Sequence, residues 1–160
     1  MFDLVGLTTI SIIFLINLLI ALRWPEIFTI LIVAFIIRFL FLIINNHFFY
    51  LPDGDMDGLI FEQRGLEWSQ EGFFHVFDHF IGPDAYFLSF LIAIPYSLIG
   101  RSFLMIQSFS ILFGLGSVFL GWLIAKKLWN SSTAIKVGWV IALFPSLVSY
   151  SVLIMREVYI

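Results

Sequence analysis

The sequence contains no cysteine and few charged side chains, and each scarcity excludes some kinds of protein. Without cysteine there is no disulfide framework and no thiolate metal site, and the redox compartment stays open. Charged residues make up only 12% of the chain, the formal net charge is −3, and no cluster of five or more basic residues occurs. The composition therefore gives no reason to expect a nucleic-acid partner.

Apolar side chains are what the sequence has instead, at 61% of its 160 residues and in long unbroken runs. Soluble domains average about 45–50% apolar and about 25% charged residues. A helix of roughly 20 apolar residues crosses the hydrocarbon core of a bilayer, where lipid offers backbone groups no hydrogen bonds. The composition thus predicts an all-α fold, a polytopic bundle of transmembrane helices surrounded by membrane lipid.

Five apolar runs are candidate spans, at about residues 4–22, 27–44, 85–99, 103–125 and 134–155. The third run is short and contains Pro95, so a tilted or incomplete crossing is expected, and the last run has Pro145 in its middle. We expect residues 1–160 to form a single transmembrane domain with about five spans. Because the chain stops at "SVLIMREVYI" without a polar tail, we expect it to be the N-terminal portion of a larger module.

One sustained polar stretch, "LPDGDMDGLIFEQRGLEW" at residues 51–68, interrupts the apolar pattern. The surrounding segment 45–84 holds eight carboxylates and, of lysine and arginine, only Arg64. Because lysine and arginine concentrate in cytoplasmic loops, we expect this segment to be an external loop of a multi-pass plasma (inner) membrane protein. In a five-span topology, however, lysine and arginine divide three against four between the two sides, so their count does not fix the orientation.

Three aspartates open this polar stretch at a regular spacing. Asp53, Asp55 and Asp57 lie two residues apart and Gly58 follows them, which is how an EF-hand calcium loop begins. Such a loop needs a glutamate at its twelfth position, and Arg64 stands there, so the EF-hand interpretation is excluded. Asp55 and Asp57 remain candidate ligands for a divalent cation, Mg²⁺ or Mn²⁺, although two carboxylates are too few to specify a site.

A surface helix is predicted from Asp57 onward, with Gly72 suited to end it. Five residues would fall on one stripe of that helix: Asp57, Phe61, Arg64, Trp68 and Glu71. An aspartate can take a proton, a guanidinium grips phosphate in bidentate fashion, and aromatic faces stack on sugars. The stripe therefore predicts a surface for a polar, partly cyclic, anionic ligand.

The opposite row of the same helix is half apolar. It consists of Leu59, Glu62, Leu66 and Gln70, and we expect it to lie on the membrane surface as part of an interfacial amphipathic helix. Alternatively, the whole segment is an ordinary external loop with solvated charges, since runs of charged residues usually face solvent without a binding role. The pattern alone leaves both interpretations open.

Several motifs occur in an order that resembles a known protein family. Asp57 is followed by an aromatic residue at Phe61, a small residue at Gly65 and a glycine that ends the helix at Gly72. Then come "GPDAYFLSFLIAIPYSLIGRS", "LIAKKLWNSSTA" and "ALFPSLVSYSVLIMREVYI". In this order, residues 27–160 resemble the N-terminal part of the GT-C class of integral-membrane glycosyltransferases, which includes protein O-mannosyltransferases and aminoarabinose transferases of lipid A.

The resemblance implies a function and roles for residues of the loop. It implies an inverting glycosyltransferase that moves a sugar from a polyprenyl-phosphate carrier to a lipid, glycan or protein acceptor outside the membrane. Asp57 would be the general base, and Arg64 would stabilise the departing phosphate. The family often has a second acidic residue directly after the aspartate. Because Gly58 stands there, Asp55 or Asp53 would have to supply that carboxylate.

Several basic residues elsewhere are further candidates. Arg38 lies about 9 Å of helical rise from the outer end of its span, so snorkelling is the first interpretation and contact with a lipid phosphate the second. Lys126 and Lys127 would ordinarily mark a cytoplasmic end, but the family topology puts them outside, where they would bind phosphate. His75 and His79 have a spacing that can ligate metal, although aromatic interfacial helices often carry histidine without one.

Two other classes of protein also fit the sequence. A non-catalytic scaffold or subunit would explain the short length, and a transporter fragment would explain Arg38 and the prolines. A transporter should carry polar residues near mid-membrane on several helices, and the spans offer few besides Asn17, Gln107 and serines. The scaffold alternative stays open.

Overall fold

The computed structural model describes residues 3–48, 51 and 57–155, and the regular structure within them is helical. The helices are α1 (Leu4–Arg23), α2 (Phe28–His47), α3 (Asp57–Gln70), α4 (Phe87–Ile99), α5 (Phe103–Leu128), α6 (Ser131–Leu143) and α7 (Pro145–Tyr150). Two 3₁₀ segments, Pro25–Ile27 and His75–His79, complete the list. The predicted all-α class is confirmed for the described part of the chain.

Three of the described helices are long and apolar enough to cross a bilayer, which indicates a membrane protein. They are α1, α2 with its preceding 3₁₀ turn, and α5. The helices α4 and α6 have 13 residues each, about 20 Å of rise, which is less than a hydrocarbon core of about 30 Å. Within the described residues, helices of full length thus account for three of the about five predicted spans, and the other two stay a prediction.

The last predicted span is broken in two at a proline. The helix α6 ends at Leu143, Phe144 is extended with a ψ of 118°, and α7 restarts with Pro145 as its first residue. Proline has no backbone N–H and disfavours helical geometry in the residue before it. Pro145 is therefore the local cause of the break.

Side-chain hydrogen bonds define two ends of the helix bundle. At the loop end, the Ser102 hydroxyl donates to Asp3 Oδ2 at 2.7 Å, and the amides of Asn46 and Gln107 exchange bonds of 2.8 and 3.1 Å. This end gathers the start of α1, the end of α2 and the start of α5. At the opposite, basic end, Lys126 Nζ lies 2.8 Å from both carboxylate oxygens of Glu26. The chain between α2 and α5 thus leaves and re-enters the bundle at the same end.

Small residues let the bundle helices approach closely. A Cβ added at Gly6 would lie 2.5 Å from Leu104 Cβ, so α1 and α5 touch through the bare backbone at the loop end. A Cβ added at Gly138 would lie 3.2 Å from Ile30, which brings α6 against α2. Such contacts are the usual way in which helices pack in lipid, where apolar burial alone gives little advantage.

The helices α3 and α4 form a second unit, the α3–α4 hairpin. The helix predicted from Asp57 ends at Gln70, and Gly72 has a φ of +105°, a conformation that favours glycine. A Cβ at Gly65 would lie 2.8 Å from Ile92 and 2.9 Å from Ser89 O, so this glycine sets the spacing of the two helices. The hairpin joins the bundle where α4 leads into α5.

The half-apolar row of α3 differs from the prediction. Glu62 is 1% exposed, and Leu66 packs against Leu88, Ile92 and Tyr96 of the hairpin. Half of the row therefore faces α4, and its expected place on a membrane surface is wrong for these two residues. Leu59 and Gln70 of the same row are exposed.

Candidate functional site

A buried carboxylate holds the base of the α3–α4 hairpin. Glu62 accepts hydrogen bonds from Arg101 Nε at 2.9 Å, Arg101 Nη2 at 3.0 Å and the Tyr96 hydroxyl at 2.9 Å. A bidentate guanidinium–carboxylate pair is directional as well as strong. These three residues, which we call the Glu62 brace, fix α3 to the junction of α4 and α5.

The charges in the brace are locked in place. Burial, followed by the charge of Glu62, raises the pKa of the Tyr96 phenol well above its ordinary range, so the hydroxyl remains a donor. The hydrogen bonds that Arg101 donates to Glu62 raise the pKa of the Arg101 guanidinium. Both donors therefore keep their protons at any physiological pH.

A second polar link joins the starts of α1 and α5. Asp3 caps α1 by accepting from Gly6 N at 2.8 Å, and its other oxygen accepts from the Ser102 hydroxyl. Ser102 in turn caps α5 by accepting from Met105 N at 3.1 Å. Shared caps of this kind satisfy donors at both helix starts and set their relative height. With the brace they make the loop end a rigid polar layer.

Arg64 of α3 lies against Tyr86, the residue that precedes α4 at the end of that helix opposite to Tyr96 and Arg101. The Arg64 Cζ is 3.7 Å from the centroid of the Tyr86 ring, a close cation–π contact, and Arg64 is half-buried. Within residues 3–48, 51 and 57–155, no hydrogen bond or ion pair engages its guanidinium. The planar fork is thus held by an aromatic face while its N–H groups stay available.

Trp68 and Phe61 are less free than the predicted stripe requires. The Trp68 ring is stacked on His79, with centroids 4.5 Å apart and planes 7° apart, and His79 Nε2 lies 2.9 Å from Glu71. Phe61 packs into the apolar cluster around Ile92. Arg64, Trp68 and Phe61 are all half-buried, and both aromatic rings contribute to packing within the hairpin.

Of the three aspartates predicted to form a site, the structure describes only the backbone of Asp57. Asp53 and Asp55 lie outside the described residues, and Asp57 is the first residue of α3. Of the side chains that the structure describes, no three histidines or carboxylates come close enough to hold a metal ion. His75 pairs with Asp78 at 3.1 Å and His79 with Glu71, so the two imidazoles have separate partners.

Arg38 is completely buried, and the snorkelling interpretation is wrong. Its Nη1 donates to Ala34 O and to Ala142 O, both at 3.2 Å, and Nε has no partner among the described residues. Ala142 lies in the last turn of α6, where the break at Pro145 leaves carbonyls without backbone donors. Arg38 thus completes the hydrogen bonding of a broken helix about 14 Å of rise from the end of α2. The structure does not bring it to Arg64.

Lys126 and Lys127 lie at the basic end, away from the other candidates. Lys126 is paired with Glu26, and its Nζ is 5.0 Å from the centroid of the Trp122 ring. The helix α5 has 26 residues, so about 39 Å of rise separates its two ends. The structure therefore does not assemble these lysines with Arg64 and Trp68.

Arg64 is thus a half-buried cation beside Tyr86, without a hydrogen-bond acceptor among the described residues. Sequence reasoning missed the Glu62 brace because Glu62 is one of eight similar carboxylates and its partners are 34 and 39 residues away. It also missed the role of Asp3, whose position before an apolar run is the N-cap pattern that would have found it. No protein-family model, no curated protein and no solved structure matches this chain.

Proposed function

We propose that the protein belongs to a membrane glycosyltransferase that moves a sugar from a polyprenyl-phosphate carrier to an acceptor on the extracytoplasmic side. The observation that carries this proposal is Arg64, a half-buried guanidinium clamped on the Tyr86 ring without an anionic partner among the described residues. A phosphate is the complementary ligand for such a planar fork.

The distribution of basic residues supports an orientation with the basic end in the cytoplasm and the loop end outside. Arg23, Lys126 and Lys127 belong to the basic end, whereas Arg64 and Arg101 belong to the loop end with most of the carboxylates. The five-span count is tied because that topology puts Arg101 on the side of Arg23, and Lys126 and Lys127 on the side of Arg64. The structure instead puts both lysines at the end of the bundle that contains Glu26. With Arg101 at the loop end, the positive-inside rule favours a cytoplasmic basic end and an external loop end.

The relative positions of Asp57 and Arg64 suit the reaction. They are seven residues apart on α3, about 10 Å of rise, which leaves room for a sugar ring between an acceptor hydroxyl and a phosphate. Asp57 would take the proton of the acceptor hydroxyl as its oxygen bonds to the anomeric carbon. The bond from that carbon to the phosphate oxygen then breaks, and Arg64 stabilises the charge on the departing polyprenyl phosphate.

The Glu62 brace supports the precision that this chemistry needs. Glu62 precedes Arg64 by two residues on the same helix, and its three hydrogen bonds tie α3 to the start of α5. Sites on braced helices hold their geometry better than sites on loops. The lipid part of the donor would remain in the bilayer beside the bundle, with its phosphate at Arg64.

Arg64→Lys tests the proposal, because lysine keeps the charge and loses the planar fork. In membranes that contain the intact protein, we expect binding and transfer from a polyprenyl-phosphate sugar to fall at least tenfold. Expression and thermal stability should stay at the parent level. Arg23→Lys at the basic end is the matched control and should behave like the parent. A lysine variant that binds the donor as tightly as the parent would remove Arg64 from the phosphate site.

A transporter is the second candidate function, favoured by Arg38 beside the break between α6 and α7. Buried cations and discontinuous helices near mid-membrane are common at transport sites. Arg38 Nη1 is already engaged by two carbonyl oxygens, which supports a structural role for this residue. Arg38→Lys should therefore lower stability without a selective loss of solute uptake; a stable variant with abolished uptake would favour the transporter.

A further inference from the structure

The 3₁₀ segment His75–His79 has three different faces. A 3₁₀ helix has three residues per turn, so residues three apart lie in one row. One row contains Val76, which is completely buried, and His79, which is stacked on Trp68. A second row contains the hydrogen-bonded pair His75 and Asp78. One face of the segment is thus packed against the protein, and a second is polar and exposed to solvent.

The third row is apolar and exposed. It consists of Phe74, Phe77 and Phe80, which are 83%, 47% and 51% exposed, and Ile81 beside it is 85% exposed. Phe77 and Phe80 meet Phe90 of α4 with ring centroids 6.0 and 4.9 Å apart, and Phe74 and Phe77 meet Phe73 with centroids 5.5 and 5.4 Å apart. We call Phe74, Phe77, Phe80 and Ile81 the aromatic patch. Contiguous large apolar side chains of this kind mark an interaction surface.

Lipid is the partner that fits the aromatic patch. The patch itself carries no charge, and the hydrogen-bonded pair His75 and Asp78 belongs to the neighbouring row. The hairpin joins the loop end of a bundle that has three helices long and apolar enough to cross a bilayer. Its root is also apolar and exposed, with Leu98 at 62% and Ile99 at 59%. Exposed apolar surface is therefore present at both ends of the hairpin, beside the bundle and at the tip.

We propose that the aromatic patch inserts into the bilayer leaflet at the loop end and holds the α3–α4 hairpin along the membrane surface. The hairpin already lies against the bundle, because Leu88, Ile92 and Tyr96 of α4 share a buried apolar cluster with Met105 and Ile106 of α5. Anchored at Phe74 and Ile81, it lies flat, with Leu98 and Ile99 also against lipid. Burial of aromatic and aliphatic side chains at the boundary between headgroups and acyl chains drives such insertion. The membrane contact of this loop thus belongs to the aromatic patch and not to the Glu62 row of α3.

Single nitroxide labels test this insertion directly, because the chain has no cysteine of its own. Cysteine is placed at Phe74, Phe77 or Ile81 in the intact protein, labelled, and reconstituted in phosphatidylcholine–phosphatidylglycerol vesicles. Collisions with oxygen, which concentrates in lipid, are compared with collisions with a water-soluble nickel chelate. Gln63 and Glu67, exposed on α3, provide matched control positions.

The expected ratio of oxygen to nickel collisions is at least threefold higher at the patch positions than at Gln63 and Glu67. Nickel collisions equal to those at the control positions would place the patch in water and overturn the proposal. Protection from both reagents would reveal a protein partner or a second copy of the chain, and would overturn it equally. A photoreactive phospholipid with a diazirine in its acyl chain gives the same test on the unaltered protein: adducts within residues 73–81 are expected, and their absence contradicts insertion.

Discussion

Arg101 reaches across 39 residues to form a bidentate ion pair with Glu62, whose carboxylate is almost wholly inaccessible while the arginine side chain is 58% exposed. This asymmetry decides what each partner contributes. Glu62 has lost its hydration and depends on its donors, whereas Arg101 can exchange its partner for water. The pair therefore stabilises the hairpin mainly by compensating a buried charge.

The first prediction follows from that asymmetry. Arg101→Met leaves the Glu62 carboxylate buried with only the Tyr96 hydroxyl, and we expect the free energy of unfolding to fall by about 2–4 kcal/mol. Lys126→Met removes the partly exposed pair with Glu26 and should cost less than about 1 kcal/mol. Unfolding in mild detergent measures both variants. Equal losses would mean that burial of Glu62 has no energetic role.

The second prediction concerns alkaline pH. The pKa of Tyr96 is raised in the folded protein, while an unfolded chain releases its phenolic proton near pH 10. The stability that Tyr96 contributes is thus complete below about pH 10 and declines as the pH rises further. Tyr96→Phe should melt lower than the parent at pH 8, and the difference should shrink between pH 10 and pH 11. A difference that stays constant with pH would contradict the assignment.

The third prediction links Arg38 to the break at Pro145. Arg38→Leu leaves Ala142 O without its donor, and we expect a loss of about 1–3 kcal/mol. Pro145→Ala lets the chain continue as a helix, so that a backbone N–H can serve Ala142 O instead. The two losses should therefore add to more than the loss in the double variant, as a double-mutant cycle of unfolding free energies would reveal. Strict additivity would show that Arg38 does not act through the break.

The fourth prediction is the orientation of the two ends. Cysteine at Glu67, on the hairpin, should react with an impermeant maleimide in intact cells. Cysteine at Ser132, at the start of α6 and the basic end, should react only after lysis. Both side chains are exposed, so accessibility within the fold is matched. The reverse pattern would contradict both the external placement of the loop and the proposed reaction on that side.

Local signals in the sequence were sufficient for most of the helices. In lipid every backbone group of a span must be hydrogen-bonded within a helix, so the apolar runs predicted the bounds of α1, α2 and α5 closely. Gly72 likewise predicted the end of α3. Contacts between helices carry no such local signal. Nothing near Arg38 shows that α6 ends beside it, and nothing near Glu62 points to Arg101. Those arrangements depend on how distant segments pack.

The last prediction concerns Asp57 and separates catalysis from helix capping. Asp57 is the first residue of α3, and the proposed reaction uses its carboxylate as a base. Asn is about as good as Asp at a helix start, so Asp57→Asn should leave expression and thermal stability near the parent. A general base, by contrast, typically contributes about 10²–10⁴ in rate, and asparagine cannot replace it. Sugar transfer from a polyprenyl-phosphate donor in membranes should therefore fall by about that factor, while Asp78→Asn, an exposed aspartate of the same loop, should retain activity. If Asp57→Asn transfers sugar at the parent rate, Asp57 is a structural cap, and Asp55→Asn becomes the next variant in which to seek the base.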